Sequence, residues 1–217
     1  MYTIKSLYDL SHSLSAPYLE QFTYPWEALK GIKEYIIALG SSLGEEFTEV
    51  SPHVWVHNTA KVAPTAYLGA PCIIGAETEV RHCAFIRGSA LVGDGCVVGN
   101  SVELKNVILF DKVQVPHFNY VGDSILGYKA HMGAGAVTSN VKSDHSLVVI
   151  HAEAEIETGI KKVGAMLGDF VEVGCNSVLN PGTVVGRNSG IYPLSCVRGV
   201  VPENSIYKTG GVIVDKA

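Results

Sequence analysis

An all-β solenoid is what the sequence predicts, on three observations. A branched or large apolar residue recurs at every sixth position: Val56, Val62, Leu68, Ile74, Val80, Ile86, Val92, Val98, Leu104 and Phe110. Four residues after each stands a second, mostly small residue, as at Ala60, Ala66, Cys72, Thr78, Ala84, Ala90 and Cys96. The position right after the apolar one is often Gly or Ala, as at Ala63, Gly69, Gly75, Gly93 and Gly99. Neither an α-helix nor an ordinary strand has a period of six. A triangular parallel β-helix does. Each hexad makes one flat side, three make a coil of about 18 residues, and stacked coils pair as parallel strands about 4.8 Å apart. The apolar residue points inward, and the small residue near each corner lets the chain turn without overfilling a narrow core.

The elements follow in order. Residues 1–50 lie outside the hexad, and Trp26 to Leu39 reads as helical because Leu29, Ile32, Ile36 and Leu39 fall at spacings of three and four. A short helical segment is expected there, packed on one end of the solenoid and covering its open edge. The β-helix occupies 51–217. Its hexad fails at Pro116, resumes out of phase at Leu126 and Met132, and restarts at Leu167, Val173, Leu179, Val185, Ile191 and Val197. This gives roughly six coils. Between Asn140 and the restart lies a polar insertion, 141–163, carrying Lys142, Asp144, His145, Glu153, Glu155, Glu157, Lys161 and Lys162. A polar loop ejected from a rigid scaffold is a place for function, with a plain solvated loop as the alternative.

Composition narrows the partners. A net charge of −5 argues against nucleic acid or an anionic membrane. The sequence shows no long apolar run and no charged-then-apolar leader, so a cytoplasmic protein is expected. The five cysteines form no CxxC pair, and reduced, small, buried thiols are expected rather than a disulfide framework or zinc.

The coil period turns spacing into geometry. Arg87 and Lys105 both follow an inward apolar residue and are 18 apart, so both should leave the same face on adjacent coils. Two stacked cations suit a phosphate or diphosphate; two solvated surface charges are the alternative. His117 follows Pro116, where the hexad breaks, and a break opens a notch. Glu103, in the preceding coil, could orient the imidazole. A neutral histidine held by a carboxylate makes a general base near neutral pH, its ordinary pKa being about 6.5.

Three blocks carry a resemblance: Gly99-Asn100-Ser101-Val102-Glu103-Leu104-Lys105, Pro116-His117-Phe118-Asn119-Tyr120-Val121-Gly122-Asp123, and Met132-Gly133-Ala134-Gly135 with Asn140. They resemble the acetyltransferase domain of the bacterial bifunctional glucosamine-1-phosphate acetyltransferase/N-acetylglucosamine-1-phosphate uridyltransferase. The segment from Thr158 through Gly164, Gly168-Asp169 and Asn180-Pro181-Gly182 is similar to archaeal sugar-1-phosphate nucleotidylyltransferase/acetyltransferases. The resemblance implies a left-handed coil sense, a homotrimer and acetyl-CoA as cosubstrate, with no metal in the transfer. It implies His117 as the general base, oriented by Glu103. Arg87 and Lys105 would hold the sugar's phosphate, and Tyr120, Asn140 and His131 would sit at the sugar. Ala134, Cys175 and Pro193 would lie along the acetyl group and CoA arm, and the insertion's Lys161 and Lys162 would also face the cofactor.

The departures matter as well. His131 stands where the bacterial family has asparagine, and the lysines of the family's insertions find no clean partner, Lys142 and His145 being only near. The N-terminal nucleotidyltransferase half of both families is missing from this sequence, whose first fifty residues hold no glycine-rich phosphate loop. Uridyl transfer is therefore not expected, and a separate nucleotidyltransferase is a possible partner. The competing readings are a non-catalytic trimeric module that binds sugar phosphates or nucleotide sugars, acyl transfer to another amine or hydroxyl, and a zinc carbonic anhydrase on the same solenoid. The last lacks paired ligand spacing among His82, His117 and His131.

Overall fold

Parallel pairing at a separation of 18 residues defines three sides. Tyr67 pairs with Phe85 and Phe85 with Glu103; Val54 with Cys72 and Cys72 with Ala90; Lys61 with Glu79 and Glu79 with Val97. These are called here the first, second and third sides. The computed structural model describes residues 2–216. The architecture is a left-handed parallel β-helix with short helical pieces before it. The hexad residues form the core: Ile86, Leu104 and Leu179 fill it from the first side, Ile74, Val92 and Val185 from the second, Val80, Val98 and Met132 from the third. Branched side chains suit this role because they pack well on a pleated, buried surface.

The corners need left-handed backbone, which glycine and asparagine supply most cheaply. At the corner between the third and first sides the residues with positive φ are Cys83, Ser101, Phe118, Gly135, Asn176 and Leu194. Phe118 is an uncommon residue for that conformation, and it stands next to His117 with φ of 53°.

The hexad does not break at Pro116. Val115 points inward and is fully buried, and it pairs with Val98 in regular register. The slip comes earlier, at Asn106, and recurs at Asp123. Leu104 pairs with Ile86, 18 residues back, whereas Leu109 pairs with Val92, 17 back. The next coil repeats the shorter step, with Leu104 opposite Val121 and Leu109 opposite Leu126. Both losses fall at the corner between the first and second sides. The strands Glu103–Leu109 and Tyr120–Leu126 therefore run unbroken through it and merge those sides into one 14-stranded sheet. The insertion leaves at that same corner after Thr138 and re-enters the second side at Ala165–Leu167. It folds into an antiparallel hairpin, Val149–His151 with Glu155–Glu157. The hairpin packs on its own chain: Val148 and Ile150 are buried against the position of Gly182.

The N-terminal segment does not sit on one end. It runs along the second side, from the last coils back to the first. The Glu203 amide donates to the Tyr2 hydroxyl at 2.7 Å, the Asp169 amide to the Leu7 carbonyl at 3.0 Å, and the Asp111 amide to the His12 carbonyl at 3.0 Å. Asn106 Nδ2 donates to the Leu29 carbonyl at 3.2 Å, and Gly40, ending the helix Ile32–Gly40, lies against the Trp55 ring. The reason is an apolar outer stripe. Ile73, Leu91, Ile108, Ile125, Met166 and Val184 face outward on the second side, yet all are buried. Covering each is worth about 2 kcal/mol as an upper figure. The edges are closed by other means. Phe47–Ser51 pairs antiparallel with Val54–His57 at one end, and Ile213–Asp215 with Ser205–Tyr207 at the other.

Candidate functional site

The corner between the third and first sides is regular, and it stacks one residue per coil: His82, Asn100, His117, Ala134, Cys175 and Pro193. Backbone hydrogen bonds fix the order. The amides of Phe118, Gly135, Asn176 and Leu194 donate to the carbonyls of Asn100, His117, Ala134 and Cys175, at 3.0, 3.0, 2.9 and 3.0 Å. Pro193 thus lies three coils from His117, about 14 Å away. The His117 side chain is exposed. Below it, His131, Gly133, Cys175, Tyr192 and Pro193 line a groove of about 420 Å³. Glycines keep its floor low: a Cβ on Gly174 would come within 2.4 Å of the Pro193 nitrogen, and one on Gly133 within 2.8 Å of the Cys175 nitrogen.

Asn119 braces this corner. It is 2% exposed. Its Oδ1 accepts from the His117 amide at 3.1 Å, and its Nδ2 donates to the carbonyls of Gly133 and Ala136 at 2.8 and 3.0 Å. One buried side chain ties the His117 turn to the Ala134 turn. Gly99 permits the same closeness, since a Cβ there would lie 1.6 Å from the Pro116 carbonyl oxygen.

The corner between the first and second sides holds the other candidates. Arg87 and Lys105 occupy adjacent positions, as the Leu104–Ile86 pairing requires. Each already has a carboxylate: Arg87 Nη1 lies 2.8 Å from Glu103, and Lys105 Nζ lies 3.2 Å from Asp123. Asp123 is the hub. Only 4% exposed, it also accepts from Asn106 at 2.8 Å and from Asn140 at 2.5 Å. Asn140 donates in turn to the Tyr120 hydroxyl at 3.2 Å. Burial, then the nearby Asp123 carboxylate, pushes the Tyr120 phenol up, so it stays protonated. The hydrogen bond and charge of Glu103 push the Arg87 guanidinium up.

Within a single chain, three of the expected groupings do not form. Glu103 does not hold His117: its carboxylate binds Arg87, because it points outward on the first side while His117 ends a strand of the third. His131 is not beside Tyr120 and Asn140. It projects from the third side, 2.8 Å from Glu172, and lines the groove with Cys175 and Pro193. Lys161 and Lys162 do not reach that groove. They line a second one, of about 390 Å³, with Leu29, Lys30, Asn106, Asp123 and Ile160. Asp123, Asn106, Asn119 and Lys30 had no assigned role in the sequence. Spacing by 18 would have set Asp123 beside Lys105, although the dropped residue puts Gly122 opposite Lys105 and Asp123 opposite Asn106. Asn119 was marked by being an amide in a column of small corner residues. Among the described residues, no group of three or more His, Cys, Asp or Glu side chains is placed to hold a metal ion, and no helix is long and apolar enough to cross a membrane.

These features define a hexapeptide-repeat left-handed β-helix with a groove along one corner. Sequence comparison adds what the chain is similar to. Residues 71–162 match the family described as GMPPB C-terminal domain. Over 204 residues the chain is 28% identical to the bifunctional protein GlmU of Methanococcus maripaludis, covering 92% of this chain and 49% of that protein. It is 26% identical over 189 residues to a bifunctional sugar-1-phosphate nucleotidylyltransferase/acetyltransferase of Sulfurisphaera tokodaii, covering 85% of this chain and 47% of that one. It is 31% identical over 175 residues to the bifunctional protein GlmU of a Nostoc species, covering 79% and 34%. The chain thus spans at most about half the length of these relatives.

Proposed function

We propose that this chain transfers the acetyl group of acetyl-CoA to the amine of an amino-sugar 1-phosphate, with glucosamine 1-phosphate as the expected acceptor. The reading rests most on one observation: His117 is exposed directly above Ala134, Cys175 and Pro193 on a single corner. An extended pantetheine arm suits a straight, shallow groove of that length, and it brings the thioester to His117. The flat first side carries the acceptor. Its phosphate lies at Arg87 and Lys105, its ring over Tyr120 and Asn140, and its amine toward His117.

The amine nitrogen attacks the thioester carbonyl, forming the C–N bond, while His117 takes the proton the nitrogen loses. The tetrahedral oxyanion needs a donor. The Ala134 amide is assigned this role in the proposal, supported by its donating to no other backbone group while the neighbouring Gly133 and Gly135 amides both do. Collapse breaks the C–S bond, and CoA leaves as the thiol with the proton held by His117. A homotrimer is part of the proposal. Tyr67 and Phe85, 60% and 43% exposed on the first side, are the apolar surface that a neighbouring subunit covers.

A second reading is favoured by a specific observation: both phosphate-binding cations are already paired with carboxylates, and Glu103 serves Arg87 rather than His117. On that reading the chain binds a sugar phosphate or nucleotide sugar without reacting. Incubation with acetyl-CoA and glucosamine 1-phosphate, with free thiol followed over time, separates the two. The enzyme reading expects thiol release that His117→Ala abolishes with the assembly intact. An absence of turnover with any amino-sugar phosphate rules it out and leaves the binding module.

A further inference from the structure

The groove beside Asp123 holds more positive charge than a single phosphate at Arg87 and Lys105 calls for. Three lysines line it, Lys30 from the N-terminal segment and Lys161 and Lys162 from the insertion. All three are exposed. Unlike Arg87 and Lys105, none of them has an ion-pair partner among the described residues. The one carboxylate lining the groove is Asp123, whose oxygens are taken up by Lys105, Asn106 and Asn140. Like charges are gathered there without a protein counter-ion, at a cost that a bound anion removes.

The placement is built by the fold. The two dropped residues put Asn106 and Asp123 at one corner, one coil apart. Asn106 then ties that corner to the Leu29 carbonyl, which seats Lys30 at the groove. The bridge between Val141 and Lys162 closes the base of the insertion over the same corner. The groove begins where the Lys105–Asp123 pair ends, so an anion at Arg87 and Lys105 and a second in the groove would be neighbours.

We propose that Lys30, Lys161 and Lys162 form a second anion subsite, continuous with the first, that takes the distal phosphate of an acceptor whose amino sugar is linked through a diphosphate. The inference rests on reading Arg87 and Lys105 as the first phosphate site. It extends the acceptor from a sugar 1-phosphate to a nucleoside-diphosphate sugar, and it separates these lysines from the CoA groove proposed on the other corner of the same chain.

Binding measured without turnover tests it on the full chain. Inorganic pyrophosphate, inorganic phosphate and coenzyme A are each titrated calorimetrically into the unaltered protein. The same is done with the Lys30→Ala/Lys161→Ala/Lys162→Ala variant and with a charge-matched control, Lys5→Ala/Lys61→Ala/Lys112→Ala. Pyrophosphate is expected to bind more tightly than phosphate to the unaltered chain and the control. The groove variant should lose about tenfold or more of its pyrophosphate affinity, while coenzyme A binds all three proteins alike. Arginines at the three groove positions should retain pyrophosphate binding. Equal pyrophosphate affinity in the groove variant and the unaltered chain overturns the proposal. So does an equal loss in the control, or a loss of coenzyme A affinity in the groove variant. A chain that acetylates glucosamine 1-phosphate yet binds pyrophosphate no better than phosphate keeps the acetyl-transfer reading and removes this one.

Discussion

Two corners of one prism differ in their regularity, and the uses proposed for them differ with it. The His117 corner keeps the hexad without a gap. Each coil adds one member to a straight ladder, and the groove of His131, Cys175 and Pro193 runs beside its lower part. The Asp123 corner drops a residue twice, ejects an insertion and receives the N-terminal segment. The result is a short, polar, three-dimensional cluster. A repeating scaffold holds an extended ligand by repeating; it holds a compact, charged one by departing from the repeat.

The comparison can be broken at either corner. The largest effect is expected at the regular one, where His117→Ala should lower the turnover number by about 10²-fold or more with stability unchanged, read from thiol release and thermal unfolding. Retained turnover would remove the ladder from the chemistry. Next comes the hub of the irregular corner. Asp123→Ala leaves the partly buried Lys105 and two amides without their acceptor, and about 3 kcal/mol of stability should go with it, measured by denaturant unfolding. Asn119→Ala should cost about 2 kcal/mol by taking the side-chain partner from the His117 amide and the Ala136 carbonyl. Because it also loosens the His117 turn, its turnover number should fall further than its acceptor KM rises. The smallest stability effect belongs to Arg87→Ala. Its ion pair is half exposed and screened by solvent, so the unfolding midpoint should barely move even where acceptor affinity drops.

The thiols sharpen the same contrast. Burial pushes Cys72 and Cys96 up to about 12, while Cys83, Cys175 and Cys196 are exposed. A thiol reagent should label the exposed three in the native protein and the other two only on unfolding, and coenzyme A should protect Cys175 selectively. The raised folded values also set a pH dependence. Above the ordinary thiol pKa of about 8.5 the unfolded chain releases these protons and the folded chain keeps them, so stability should decline as pH rises from there toward 12. A flat stability profile across that window would contradict the buried thiols.

Much of the regular corner was legible in the sequence. The columns follow from the period, and the stacking of Arg87 beside Lys105 followed from it too. The slip at Asn106 was hidden by local composition: Val107, Ile108, Leu109 and Phe110 are all apolar, so an inward residue stands at the expected position whether or not one residue has been lost. The break therefore showed only near Pro116, ten residues late. The same apolar runs concealed why the N-terminal segment lies along the second side, since Ile73, Leu91 and Ile125 read as core neighbours rather than as an outer stripe. Partner choice among outward charges was not legible at all. Glu103 can face Arg87 or His117 by spacing alone, and the sheet that each strand joins decides between them.

The central claim is that one corner carries the reacting group and the other holds the acceptor. Initial rates of thiol release for His117→Ala and for Arg87→Ala/Lys105→Ala, with acetyl-CoA and glucosamine 1-phosphate varied separately, test it directly. Turnover should be lost in the first variant. In the second, the KM for the sugar phosphate should rise with the KM for acetyl-CoA unchanged. Activity surviving in His117→Ala, or a raised acetyl-CoA KM in the double variant, would contradict it.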